Sequence, residues 1–135
     1  MSSALPKKLG IKRGMRGLVL GAPEDYVASL KPLPEDFTLA TKNSGSFDFI
    51  QIFTTRLSQV TEFARRLPKM ASPNALVWIS YPKQSSKIET DLNRDIIWNE
   101  MNRAGWPGVS IIAIDETWSA LRVRPANLVR SKRKR

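Results

Sequence analysis

Lys83, Ser85, Ser86, Lys87 and Thr90 stand within eight residues of one another, after the apolar run Ala75–Tyr81 stops at Pro82. Two ammonium groups, two serine hydroxyls and a helix start at Thr90-Asp91 are the parts of an anion site, because helix N-termini attract negative charge. The same residues also suit a solvated loop in which Thr90 only caps its helix. Glu24, Asp25, Asp115 and Glu116 follow two further strands and could act as acid and base or hold a hard cation. They equally suit a helix first turn and a hairpin. Trp118, which starts a strand, and Tyr26, which follows one, could line a pocket for a planar ligand. Arg130, Lys132, Arg133, Lys134 and Arg135 form a basic run that could neutralise phosphates, or simply solubilise the chain end.

Composition narrows the chemistry. The 135 residues include no histidine and no cysteine. That removes the commonest general base, thiolate nucleophiles, disulfides and thiolate metal sites. Catalysis would need carboxylates, lysines, hydroxyls or backbone amides. Net charge is +10, but its placement is uneven: residues 1–17 carry five basic groups and residues 119–135 carry seven, with no acid in either segment. The body between them is close to neutral, so the fold itself is not basic. No run approaches the ~18 apolar residues of a membrane span, and the N-terminus lacks the apolar stretch of a signal peptide. A cytoplasmic protein with no membrane partner is expected.

The elements that must position these residues can be read in order. Leu18–Leu20 is a short strand, ended by Gly21-Ala22-Pro23. A short helix runs from Tyr26 to Leu30 before Pro32 and Pro34. Phe37–Thr41 alternates as a strand, and Phe47–Phe53 is a second. Leu57, Val60, Ala64 and Leu67 make the stripe of an amphipathic helix that closes near Pro68. Ser72-Pro73-Asn74 turns the chain into Leu76–Tyr81, whose lack of alternation implies burial on both faces, as in a central parallel strand. Leu92, Ile96, Ile97 and Met101 mark a helix stopped by Gly105. Val109–Ile114 and Trp118–Arg124 close the chain as a hairpin. The order β-α-β-β-α-β-α-β-β predicts an α/β fold: a Rossmann-like, three-layer, mostly parallel sheet of about six strands with a C-terminal antiparallel hairpin. Residues 1–8 read as a flexible segment, 9–124 as one domain and 125–135 as a basic tail.

Leu9–Gly21, Phe47-Asp48-Phe49-Ile50 and Ala71–Ser80 together resemble the first, fourth and fifth strands, with their lead-in turns, of the class I S-adenosylmethionine-dependent methyltransferase fold. The space between Leu30 and Phe47 admits one strand, so this form of the fold is shortened by one β-α unit. Tyr81-Pro82-Lys83, Ser86-Lys87, Thr90-Asp91-Leu92 and Asp115-Glu116-x-Trp118-Ser119-x-Leu121 are also similar to a family of small bacterial proteins described only as a domain of unknown function. The methyltransferase resemblance implies S-adenosylmethionine as cofactor. Three contacts that it calls for are absent. The turn after the first strand is Gly21-Ala22-Pro23-Glu24, with one glycine and a proline. Val19 stands where that strand has an acid. Thr41-Lys42-Asn43 offers no carboxylate for a ribose. The expectation is therefore a non-catalytic binding or regulatory module with no cofactor. Its small anionic ligand would sit near Glu24, Tyr26, Lys83, Ser85, Ser86, Lys87, Thr90 and Trp118. The alternatives are an enzyme with a remodelled cofactor site and a nucleic-acid binder acting through the basic ends.

Overall fold

The computed structural model describes residues 4–31, 33–40 and 45–126. The basic run at 130–135 and the end of the second strand at 41–43 lie outside the described residues. Six strands form one sheet: β1 Arg16–Leu20, β2 Thr38–Leu39, β3 Phe47–Phe53, β4 Ala71–Pro82, β5 Gly108–Ala113 and β6 Trp118–Val123. Their spatial order is β2-β1-β3-β4-β6-β5. β1 runs parallel to β2 and β3, β3 parallel to β4, and β6 lies antiparallel between β4 and β5. The mostly parallel α/β sheet and closing antiparallel strand agree with the pattern read from the sequence.

Helices cover both faces. α3 (Leu57–Met70) and α4 (Arg94–Arg103) bury Val60, Phe63, Leu67, Ile97 and Met101 against Leu18, Ile50, Val77, Ile79 and Leu121. α1 (Ala4–Leu9) and α2 (Tyr26–Ser29) bring Leu9, Tyr26 and Leu30 to Phe49, Phe53, Trp78 and Ala120 on the opposite face. Val77 and Trp78, adjacent in β4, serve opposite faces, which is why that strand reads as continuously apolar.

Four local features depart from the sequence reading. Residues 4–8 form most of α1, whose end is tied down where the Trp78 indole N–H donates to Leu9 O at 2.9 Å. α3 continues through Pro68 to Met70 because the proline is exposed and Met70 is buried, which anchors the last turn. The Ser72-Pro73-Asn74 turn interrupts β4 instead of preceding it: pairing with β3 jumps from Ala71 to Leu76, and Asn74 takes φ 67°. β2 is only two residues long.

Thr90 and Asp91 do not start α4. Asn93 caps it, accepting the Ile96 N–H at 2.9 Å. Thr90 instead donates its hydroxyl to Thr55 O at 2.6 Å, and Asp91 accepts the Leu57 N–H at 2.8 Å. Cap chemistry that reads locally as a helix start thus joins two loops and satisfies the first turn of α3.

Candidate functional site

Strand order reverses between β1, which continues outward to β2, and β3, which continues toward β4. In open α/β sheets the crevice beyond such a switch point is where ligands bind. Gly21 ends β1 there at φ +68°, and a Cβ on it would lie 3.0 Å from the Phe53 carbonyl oxygen. The turn is thus pressed against the end of β3, in a backbone conformation natural to glycine.

On the α1/α2 side the crevice is filled by the protein's own rings. Tyr26 is buried and meets Phe53 edge to face at 4.7 Å between centroids. Phe53 meets Trp118 the same way at 5.0 Å. The Tyr26 hydroxyl donates to Gln51 Oε1 at 2.7 Å, and Gln51 Nε2 donates to Ser80 Oγ at 2.9 Å. The Thr54 hydroxyl donates to Ser80 O at 2.9 Å. Gln51 is fully buried, so these bonds satisfy an amide that would otherwise be costly in that position. Burial drives the Tyr26 phenol well above its ordinary value, with the Gln51 hydrogen bond acting against the rise and the Asp115 charge adding to it. At neutral pH the phenol is a fixed donor and cannot serve as a base.

A second, polar hollow of about 370 Å³ lies beyond the end of β4. Lys83, Arg94 and the Tyr81 and Ser119 side chains line it, with Asn93 and Asp95 at the start of α4. The Lys83 N–H donates to Thr117 O at 2.8 Å and Lys83 O accepts the Ser86 N–H at 3.0 Å, so the loop is turned tightly against the β5–β6 hairpin. Burial raises the Tyr81 phenol, and nearby Arg94 acts against that rise. Two cations, a phenol and the start of a ten-residue helix meet in this hollow, where Asp95 Oδ1 accepts the Arg94 Nε–H at 3.3 Å and offsets part of the positive charge.

The residues singled out from sequence divide between these two places. Tyr26 and Trp118 join through Phe53, and Lys83 enters the polar hollow. Ser86 serves its own turn, with its hydroxyl oxygen 3.4 Å from the Ile88 N–H. Ser85, Lys87 and Glu24 are exposed and do not line the hollow. Thr90 is committed to Thr55. Asp115 Oδ1 accepts the Thr117 and Trp118 N–H groups, both at 2.8 Å, which makes it a hairpin residue. Among the described residues no cluster of three or more acids could hold a metal ion. Gln51, Ser80 and Arg94 were not anticipated. The available signal was one amide inside the otherwise apolar run Phe49–Phe53.

On the α3 side of the same switch point an open groove of about 360 Å³ remains, between Leu20, Gly21 and Ile52 on the sheet and Gln59, Glu62 and Phe63 on the helix. No described helix is long and apolar enough to cross a membrane.

No family model matches the chain, and no curated protein matches it in sequence. Solved structures do resemble it. A SAM-dependent methyltransferase from Aquifex aeolicus superposes with TM-score 0.55 at 17% identity, over 90% of this chain and 88% of that one. The DhpI–SAH complex gives TM-score 0.62 at 10% identity, over 91% and 82%. Aeropyrum pernix fibrillarin with natively bound S-adenosyl-L-methionine gives 0.59 at 11%, over 89% and 73%. At these identities the likeness establishes the fold: a methyltransferase-like, Rossmann-like sheet.

Proposed function

We propose that this chain is a non-catalytic binding or regulatory module on a methyltransferase-like scaffold, and that it takes a small anionic ligand in the hollow formed by Lys83 and Arg94. The observation that carries the reading is the Tyr26–Gln51–Ser80 chain beneath Phe53 and Trp118. It fills one side of the switch-point crevice with side chains whose hydrogen bonds are already satisfied. The reading is further supported by the absence of histidine and cysteine and by the buried Tyr26 phenol, which is already committed to Gln51. Tyr81 and Lys83, from the Tyr81-Pro82-Lys83 stretch that resembles the small bacterial family, both line the hollow. Titration with inorganic phosphate and with a nucleoside monophosphate tests the ligand class. Lys83→Ala should weaken binding about tenfold, the scale of one charge-assisted hydrogen bond. Lys87→Ala, whose side chain is exposed outside the hollow, should change it little. Equal affinity in wild type and Lys83→Ala would sink this reading.

A second reading is an enzyme with a remodelled cofactor site. The open groove between Leu20, Ile52 and α3 favours it, because apolar space remains on that side of the switch point. It requires micromolar binding of S-adenosylmethionine, and the first reading requires none. A nucleic-acid contact through Arg130, Lys132, Arg133, Lys134 and Arg135 is a separate proposal resting on their charge alone. A truncation after Leu128 that binds DNA and RNA as well as the full chain would dismiss it.

A further inference from the structure

We propose that the ligand of the Lys83–Arg94 hollow is a nucleoside monophosphate whose base stacks on Trp98, in a second hollow farther along α4. This assignment rests on the anionic-ligand reading above and names the rest of that ligand. The second hollow, of about 430 Å³, is lined by Arg94, Asp95, Trp98, Asn99 and Ile111. Arg94 and Asp95 line the first hollow as well, so the two form one groove along the side of α4. Ile111 is its other wall. It pairs with Leu121, which packs with Ile97 and Met101 of α4, so Ile111 also lies on the helix side of the sheet.

The chemistry of the groove changes along its length. At one end, Lys83 has no ion-pair partner among the described residues. Asp95 engages only the Nε of Arg94, which leaves the terminal guanidinium nitrogens for a phosphate. In the middle, the Asp95 carboxylate is an acceptor for ribose hydroxyls, the part an acid plays in dinucleotide-binding sheets. At the far end stands Trp98, 37% exposed, where Trp78 and Trp106 are 2% and 9%. Its six-membered ring closes on Gly108, where a Cβ would lie 3.1 Å from Cε3. The rest of the ring opens into the groove beside Ile111, itself 38% exposed.

Spacing and composition together select the ligand. Trp98 follows Arg94 by four residues on α4, ~6 Å along the helix axis, a gap that one sugar bridges between a phosphate and a base. Inorganic phosphate would leave the indole and Ile111 facing water, and an apolar ring alone would leave two cations unused. A planar base covers the indole by stacking. The Asn99 amide beside it offers both a donor and an acceptor to the base edge.

Calorimetry of the full chain with inorganic phosphate, ribose 5-phosphate and adenosine monophosphate tests the proposal, with circular dichroism checking that each variant is folded. Adenosine monophosphate should bind at least about tenfold tighter than the other two, the scale of one base stacked on an aromatic ring. Trp98→Ala should erase that advantage and leave the affinity for phosphate unchanged, and Trp98→Phe should keep most of it. Ile111→Ser, on the opposite wall, should reduce the advantage without touching the helix. Adenosine monophosphate should also quench tryptophan emission in the wild type and not in Trp98→Phe. Equal affinity for all three ligands, still dependent on Lys83, overturns this assignment and leaves the anionic-ligand reading standing. So does an advantage that survives Trp98→Ala. If none of the three binds, that reading fails and the assignment fails with it.

Discussion

Tyr26 on α2 and Gln51 on β3 are joined by a 2.7 Å hydrogen bond across the floor of the switch-point crevice, and both side chains are buried. The bond fixes α2 to the central strands and occupies the space in which a planar ligand would otherwise lie. Tyr26→Phe keeps the ring packing on Phe53 but leaves Gln51 Oε1 without its donor. Denaturant unfolding should register a loss of about 1–3 kcal/mol with an unchanged slope. An unchanged midpoint would mean that water replaces the hydroxyl and the crevice is wetter than the packing implies.

The phenols give a pH signature. Burial raises Tyr26, and Tyr81 to a lesser extent, above the ordinary value of 10.0. The unfolded chain therefore loses these protons first. The stabilisation is full below pH 10 and is lost as pH rises past the unfolded value toward the raised folded ones. Urea midpoints should fall steeply above pH 10, less steeply in Tyr26→Phe, and tyrosinate absorbance should rise at higher pH in the folded chain than in the unfolded one.

At the acid end, Glu100 ties α4 to α3. It accepts the Arg103 guanidinium and the Thr61 hydroxyl, the latter at 2.8 Å. The Arg103 hydrogen bond is the main cause of its lowered pKa, and burial acts against the lowering. Its contribution is present above the unfolded value of 4.5 and is lost as pH falls through the folded one. Glu100→Gln should lower thermal stability at pH 7, by an amount that shrinks as pH falls below 4.5. A loss that stays constant as pH falls would assign the residue a packing role only.

Asp91→Ala removes the acceptor of the Leu57 N–H at the start of α3. A loss of about 1 kcal/mol is expected, the usual scale of an N-terminal cap. Asp91→Asn should retain most of it. A null result for Asp91→Ala would show that Gln59, which accepts the Thr55 and Arg56 N–H groups at 2.8 and 3.1 Å, holds that turn alone.

Gly21→Ala places a side chain at φ +68° and 3.0 Å from Phe53 O. The left-handed backbone alone costs about 1–2 kcal/mol, and the contact with a fixed carbonyl adds to it. A variant as stable as wild type would show that the β1 turn can move away from β3.

Much of this arrangement was legible in the chain. Leu76–Tyr81 lacks alternation because Val77 and Trp78 each have a core to enter, and that places it at the centre of the sheet. Order alone did not show that β6, which begins at Trp118, inserts between β4 and β5, because either strand of a closing hairpin can take the place beside β4. Gln51 was hidden because a lone amide in an apolar strand acquires meaning only from its partners, 25 and 29 residues away. Thr90 and Asp91 were misread for a related reason: the hydroxyl and carboxylate that cap a helix locally can equally cap one 34 residues distant. α1 was overlooked because a six-residue basic helix owes its stability to the burial of Leu9, which no local pattern announces.

The most direct measurement is isothermal calorimetry of the full chain with S-adenosylmethionine and S-adenosylhomocysteine. With Tyr26, Phe53 and Trp118 packed into the crevice, no saturable heat is predicted for either compound. Micromolar binding of either compound would contradict the account and make the chain a cofactor-dependent enzyme candidate.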